Sequence, residues 1–265
     1  MQLPNNAIGV IDSGVGGLTV VKELQRQLPK ESILYFGDSK NMPYGNKTPE
    51  EIIALTKKML SFLDNHQVKA ILLACNTISS QINELIPLTD TPIFDIIYPG
   101  CVAAVENIPK RGVGLIATEA TVSSNTYGET LQSIQAGIPF IANGSPDLAR
   151  VIEENNENQE GIKRILEDTI SPLLAQKPVD NLILGCTHYP FVMEEIQKLY
   201  PHLQLIDPAI KLVDILKGYL EESDLFSSDS KSTLTIYTSG QMDNYLPFID
   251  RLNIKNYDLF MQSLD

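Results

Sequence analysis

An α/β fold of two similar domains with mainly parallel sheets is what this sequence predicts, and three observations predict it. Short β-branched runs alternate with longer amphipathic stretches along the chain. Two segments of the first half have counterparts in the second. Polar clusters follow several apolar runs, where the carboxyl ends of parallel strands would place them.

In order, residues 7–11, 32–36, 69–74 and 92–97 read as buried strands, and 17–28, 48–65 and 79–86 as helices. The second helix opens with Thr48 three residues before Glu51, the spacing of a capping box. Residues 113–117, 139–142, 181–184 and 204–206 read as four more strands, with helices at 122–136, 159–175 and 191–200. A last strand at 233–238 leads into a C-terminal helical stretch, and the polar stretch 223–232 reads as a surface loop. Such alternation argues for doubly wound sheets.

The internal repeat is approximate. Lys69-Ala-Ile-Leu-Leu-Ala-Cys75-Asn-Thr77 parallels Asp180-Asn-Leu-Ile-Leu-Gly-Cys186-Thr-His188, and Ile8-Gly-Val-Ile-Asp12-Ser13 parallels Val113-Gly-Leu-Ile-Ala-Thr118. Hinges are placed near Tyr98-Pro99 and Asp207-Pro208. The expected domains are therefore 1–98 plus 208–265, and 99–207, with a site in the cleft between them.

Composition narrows the function. With 43% hydrophobic residues the chain can bury a sizeable core, and no apolar run approaches a bilayer span. A net charge of −13, from 33 acidic and 20 basic side chains, repels phosphate backbones and anionic lipid. Neither nucleic acid nor membrane is an expected partner. The N-terminus lacks the charged region and core of a signal peptide, so the cytoplasm is the expected compartment. Three cysteines make no disulfide framework, and no CxxC pair suggests zinc.

The chemistry must come from the strand ends. Cys75 and Cys186 each end an apolar strand at matching places in the repeat, each followed by hydroxyl or amide donors. A single buried cysteine is usually core filler; two in register across a repeat point to function. Cys101, in Gly100-Cys-Val-Ala-Ala, has no such context and reads as helix packing. Asp12 is followed by Ser13-Gly14-Val15-Gly16-Gly17, which matches no nucleotide-binding fingerprint. Backbone N–H groups there, with the Ser13 hydroxyl, suit a small carboxylate. Asp12 would orient a substrate ammonium or help move a proton to a thiol. His188, beside Cys186, can stabilise a thiolate; a metal role lacks further ligands. Tyr44, between Pro43 and Gly45, reads as a turn that offers N–H groups and a phenol wall.

Two opposed thiols suit proton transfer at carbon. Inverting a stereocentre needs a base on one face and an acid on the other, and two thiols exchange those roles with little motion. No PLP-type lysine site or nucleotide motif is recognisable, so no cofactor is expected.

These residues resemble the motifs of the glutamate racemases, within the aspartate/glutamate racemase superfamily. The resemblance lies in Gly9-Val-Ile-Asp12-Ser13-Gly14-Val-Gly-Gly-Leu-Thr19, Tyr35-Phe-Gly-Asp38, Pro43-Tyr44-Gly45, Ala74-Cys75-Asn76-Thr77 and Leu184-Gly-Cys186-Thr187-His188-Tyr189-Pro190. It implies catalytic roles for Cys75, Cys186, Asp12 and His188. It also implies substrate contacts at Asp12, Ser13, Tyr44, Gly45, Asn76, Thr77, Thr118, Thr121, Thr187 and His188. It further implies glutamate as substrate, D-glutamate for peptidoglycan as product and, often, a homodimer.

Two departures stand out. An Ala-Cys-Pro segment common in the family is replaced by the run from Ala136 to Pro146, followed by Val151-Ile-Glu153-Glu154, so the thiol-assisting glutamate that the resemblance implies is Glu153, Glu154 or absent. Ser39-Lys40-Asn41-Met42 before Pro43 is also unusual and suggests a secondary family member. The rival readings are a racemase or isomerase for aspartate or another small diacid, and a non-catalytic binder of acidic metabolites.

Overall fold

β1 (Ile8–Asp12) is buried at every position, the mark of a parallel strand covered on both faces. It is the centre from which the fold is built. The computed structural model describes residues 3–106, 109–154 and 159–264.

After β1 come α1 (Leu18–Gln27), β2 (Ile33–Gly37), α2 (Pro49–Asn65), β3 (Ala70–Leu73), α3 (Asn76–Ser79), α4 (Ile82–Leu85), β4 (Ile93–Asp95) and α5 (Ile97–Glu106). The middle of the chain holds β5 (Val113–Ala117), α6 (Glu119–Ser123), α7 (Thr126–Ile134), β6 (Phe140–Gly144), α8 (Leu148–Glu153), α9 (Gln159–Gln176), β7 (Asn181–Gly185), α10 (Met193–Leu199) and β8 (Gln204–Ile206). The chain ends with α11 (Pro208–Glu222), β9 (Leu234–Thr238), α12 (Leu246–Arg251) and β10 (Tyr257–Met261).

Every strand pair is parallel. One sheet has the order β10-β9-β2-β1-β3-β4 and the other β6-β5-β7-β8. The repeat is thus topological. β1 lies between β2 and β3 as β5 lies between β6 and β7, and the cysteines follow the equivalent strands β3 and β7.

Alternation along β1 sends Ile8 and Val10 toward α1 and α11, while Ile11 meets α2 through Ile52, Leu60 and Leu63. α5 and α7 cover one face of the second sheet, through Cys101, Ala104, Tyr127 and Leu131; α8, α9 and α10 pack on the other. α11 packs against both α1 and α5 and so bridges the two halves. The capping box at Thr48 is formed: Glu51 N–H donates to Thr48 Oγ1 at 3.3 Å, and Thr48 N–H to Glu51 Oε2 at 2.8 Å.

At the amino-terminal end of the first sheet lies a buried ion pair. Lys69 Nζ donates to Glu31 Oε2 at 2.5 Å and to the carbonyls of Pro4 and Leu225 at 2.5 and 2.8 Å. Glu31 Oε1 accepts the Ser227 N–H at 2.9 Å.

Several expectations are corrected. The helix expected over 122–136 is two helices, because Asn125 takes a left-handed φ of 56° that interrupts them. The helix expected at 79–86 begins instead directly after Cys75 and is broken at Gln81, which has a non-helical φ of −107°. The strand expected over 92–97 spans only Ile93–Asp95: the Asp95 carboxylate accepts the N–H groups of Ile97 and Tyr98 and so starts α5. The C-terminal stretch is not wholly helical, since β10 follows α12. β10 is an edge strand with no fully buried position, so it lacks the alternation that marks a strand. α8 and α11 have no counterpart in the sequence reading. No helix among the described residues is long and apolar enough to cross a membrane.

Candidate active site

Asp12, the last residue of β1, is fully buried at the head of a glycine-rich turn. Its Oδ1 accepts the Gly14 N–H at 2.9 Å and its Oδ2 the Thr187 hydroxyl at 3.3 Å. The turn passes so close to the Cys186-Thr187-His188 loop that a Cβ on Gly16 would stand 2.3 Å from Thr187 Oγ1 and 2.8 Å from His188 Nδ1. Any side chain at position 16 would have to displace both groups. Thr19 ties the same contact through the Thr187 carbonyl at 3.4 Å.

Cys75 lies two residues past β3 and takes the N-cap position of α3, with no capping hydrogen bond from its side chain. Its Sγ donates to Ser13 Oγ at 3.5 Å. Burial, and next the Asp12 carboxylate, push this thiol up to about 12, against the opposing hydrogen bond with Ser13. Cys186 follows β7 and contacts His188 Nδ1 through Sγ at 3.7 Å. His188 Nε2 in turn lies 3.0 Å from Glu153 Oε2 at the end of α8. Burial opposes a charge on His188, but Cys186 and Glu153 outweigh it and hold the imidazole up to about 10. Asp12 is raised by burial, with His188 and the N–H groups of Gly14 and Gly17 working against the shift.

Both thiols open onto one small cavity of about 50 Å³. Ser13, Tyr44, Gly45, Asn76, Thr77, Thr118, Thr187 and His188 complete its wall from the sequence-predicted set, joined by Met42, Pro43, Ala149 and Gly185. Asp12 and Thr121 do not line it. Asp12 stands behind Thr187, and Thr121 stands behind Thr77 and Thr118, which its hydroxyl meets at 3.3 and 2.9 Å. Thr77 and Thr118 meet each other at 3.0 Å, one from each half of the chain. Cys101 lies elsewhere, buried in α5 with Sγ directed at the Tyr127 carbonyl, 3.7 Å away.

Tyr44 is fixed by Asp38, whose Oδ2 accepts the phenol at 2.6 Å, while Asn41 and Ser239 occupy the remaining acceptor sites of that carboxylate. A wider chamber of about 760 Å³ adjoins the cavity, sharing Met42, Pro43, Gly45, Thr118 and Ala149 with it. Of the two glutamates open at 153 and 154, Glu153 reaches the histidine and Glu154 pairs with Arg150 at 2.9 Å. Asp38, Glu153 and Met42 are the residues whose places the sequence did not settle; the signals were an aspartate just past β2 and an acidic pair at a helix end. Among the described residues no group of three or more His, Cys, Asp or Glu side chains converges as a metal site.

Residues 8–216 match the family model described as Asp/Glu/Hydantoin racemase. The chain belongs to that family. A glutamate racemase of Lactococcus lactis subsp. cremoris is 38% identical over 224 residues, covering 83% of this chain and 82% of the relative. Among solved structures, a glutamate racemase isoform from Bacillus anthracis superposes with a TM-score of 0.93 at 31% identity, covering 98% of each chain. The Francisella tularensis glutamate racemase, solved in complex with D-glutamate, gives 0.91 at 33% identity and covers 99% of each. This racemase-family member therefore has the two-domain α/β architecture throughout its length.

Proposed function

We propose that this family member interconverts L- and D-glutamate without a cofactor, using Cys75 and Cys186 as two bases on opposite faces of Cα. The observation that carries the proposal is that two thiols from equivalent strand ends line one cavity. Binding alone would need neither. The glutamate racemases it resembles, one of them bound to D-glutamate, support glutamate as the substrate.

The two thiols are unequally prepared. A protonated His188, held by Glu153, donates toward Cys186 Sγ, which serves as the first base. Cys75, pushed up by burial, rests as the thiol. The first base removes the Cα proton facing it, and the opposite thiol delivers its proton to the other face. Cys186 then carries the proton and Cys75 is the thiolate, the state that accepts the product enantiomer for the reverse reaction. Ser13, Asn76, Thr77 and Thr118 supply donors for the carboxylates; Thr187 and Asp12 hold the two halves of the site together. The product D-glutamate suits peptidoglycan synthesis.

Circular dichroism of purified protein with L-glutamate, no cofactor and a chelator present should show decay to the racemate. In D2O, deuterium should enter the product enantiomer at Cα before it enters the remaining substrate. Cys75→Ala and Cys186→Ala should each abolish racemisation, and Cys101→Ala should retain it. Near-normal turnover by either of the first two variants would end the two-thiol mechanism. A higher kcat/KM for aspartate would overturn the substrate.

A further inference from the structure

Among the described residues, two buried side-chain polar atoms have no hydrogen-bond partner: Asn76 Nδ2 and the Tyr189 hydroxyl. Asn76 lines the catalytic cavity and Tyr189 does not. An unpartnered buried amide is costly, so what holds it in place matters. Its other end is engaged: Asn76 Oδ1 accepts the Tyr127 hydroxyl at 2.6 Å. Asn76 opens α3 under the first sheet, whereas Tyr127 belongs to α7 packed on the second. The bond spans the cleft.

We propose that Tyr127 is a positioning residue, which turns the Asn76 amide so that its N–H2 faces the cavity as a donor for a substrate carboxylate. An amide can present either end, and the two orientations have opposite consequences for an anion. With Oδ1 toward the cavity, a carboxylate would meet a lone pair. With Nδ2 there, it meets two N–H groups. The phenol decides between them because it acts as a donor. Burial holds its proton on, moving its titration well above the ordinary tyrosine range. Among the described residues its oxygen makes no other hydrogen bond. Its tip passes over Gly100 of α5, where a Cβ would stand 3.3 Å from the oxygen. The donor therefore selects Oδ1 and leaves Nδ2 for the ligand. Because the phenol comes from the opposite sheet, this orientation is complete only while the two halves are closed on each other.

The proposal rests on the racemase reading, and the test separates the two. Wild-type turnover of glutamate is measured first; its absence would refute that reading and this one with it. Given turnover, Tyr127→Phe removes one oxygen. KM for glutamate should rise about three- to tenfold, the factor that one neutral hydrogen bond supplies, with kcat changed less than about twofold because the donor acts on ground and transition states alike. Asn76→Ala should raise KM at least as much. Adding Tyr127→Phe to Asn76→Ala should then change nothing further, since the tyrosine acts through the amide. A loss of packing alone would lower the melting temperature and leave KM unmoved. An unchanged KM in Tyr127→Phe, or full additivity in the double variant, would overturn the proposal. Asn76→Asp gives an independent reading should the phenylalanine variant not fold. It keeps an acceptor for Tyr127 but places oxygen where Nδ2 was, so KM should rise more than about tenfold; an unchanged KM overturns the proposal.

Discussion

Replacing Lys69 with methionine tests how the first sheet is held at the end away from the thiols. Methionine keeps the length and apolar stem of the side chain but removes the ammonium. All three N–H groups of that ammonium have acceptors: Glu31 Oε2 and the Pro4 and Leu225 carbonyls. Both partners of the pair are buried, with side-chain exposures of 0% and 2%. After the substitution, Glu31 retains one donor, the Ser227 N–H. Breaking a buried pair from one side costs about 3–5 kcal/mol, a large share of a total stability of about 5–15 kcal/mol. For a chain of this size each kcal/mol lowers Tm by roughly 2–4 °C, so the melt should fall by about 6–20 °C at pH 7 in calorimetry. The double variant Lys69→Met with Glu31→Leu should recover part of that loss, because it leaves no uncompensated carboxylate. Six residue steps of extended chain run from Lys69 to Cys75, about 20 Å at the usual strand rise. Activity of the folded single variant at low temperature should therefore match wild type. A fall in Tm under about 3 °C would show that the pair is solvated, and the reasoning would fail.

The other expectations concern the cavity. His188 holds its proton up to about 10, above its ordinary 6.5, so its contribution to stability is complete below about pH 6.5 and is lost as pH rises through 10. Glu153→Gln removes a carboxylate that supports that proton; the basic limb of kcat/KM should move toward neutral pH, and an unmoved limb would detach Glu153 from the proposed reaction. Gly16→Ala should lower kcat/KM about 100-fold, since the new methyl must push the Thr187 and His188 loop away; wild-type kinetics would contradict the close approach. Asp12→Asn should reduce kcat more than it raises KM, because Asp12 acts behind the cavity wall; a change confined to KM would make it a binding group.

The strands were legible because both sheets are parallel and covered on both faces, so β1, β2, β3, β5 and β7 appear as short apolar runs. The same logic found the paired thiols, since a cysteine at the end of each equivalent run is visible without coordinates. What escaped had weaker local signals. β10 packs at an edge with polar and apolar residues alike exposed. The break at Asn125 depends on one dihedral, and hydrophobic periodicity continues on either side of it. The contact of Glu153 with His188 spans 35 residues, and no local pattern chooses between two adjacent glutamates. The orienting bond from Tyr127 to Asn76 was hidden for the same reason: it joins two sheets whose relative placement no periodicity encodes.

The unequal surroundings of the two thiols carry a constraint from outside the protein. Enantiomers have equal free energies in water, so for the proposed reaction the equilibrium constant is unity and kcat/KM must be identical for L- and D-glutamate. One thiol leans on an imidazole and a carboxylate, whereas the other meets a serine hydroxyl and lies under the influence of Asp12. That imbalance can raise kcat in one direction only by raising KM there in the same proportion. Unequal surroundings of the two thiols therefore cannot make the proposed racemase a better catalyst for one hand at low substrate. They set instead the concentration at which each hand saturates it, and so which enantiomer occupies the site when both are abundant.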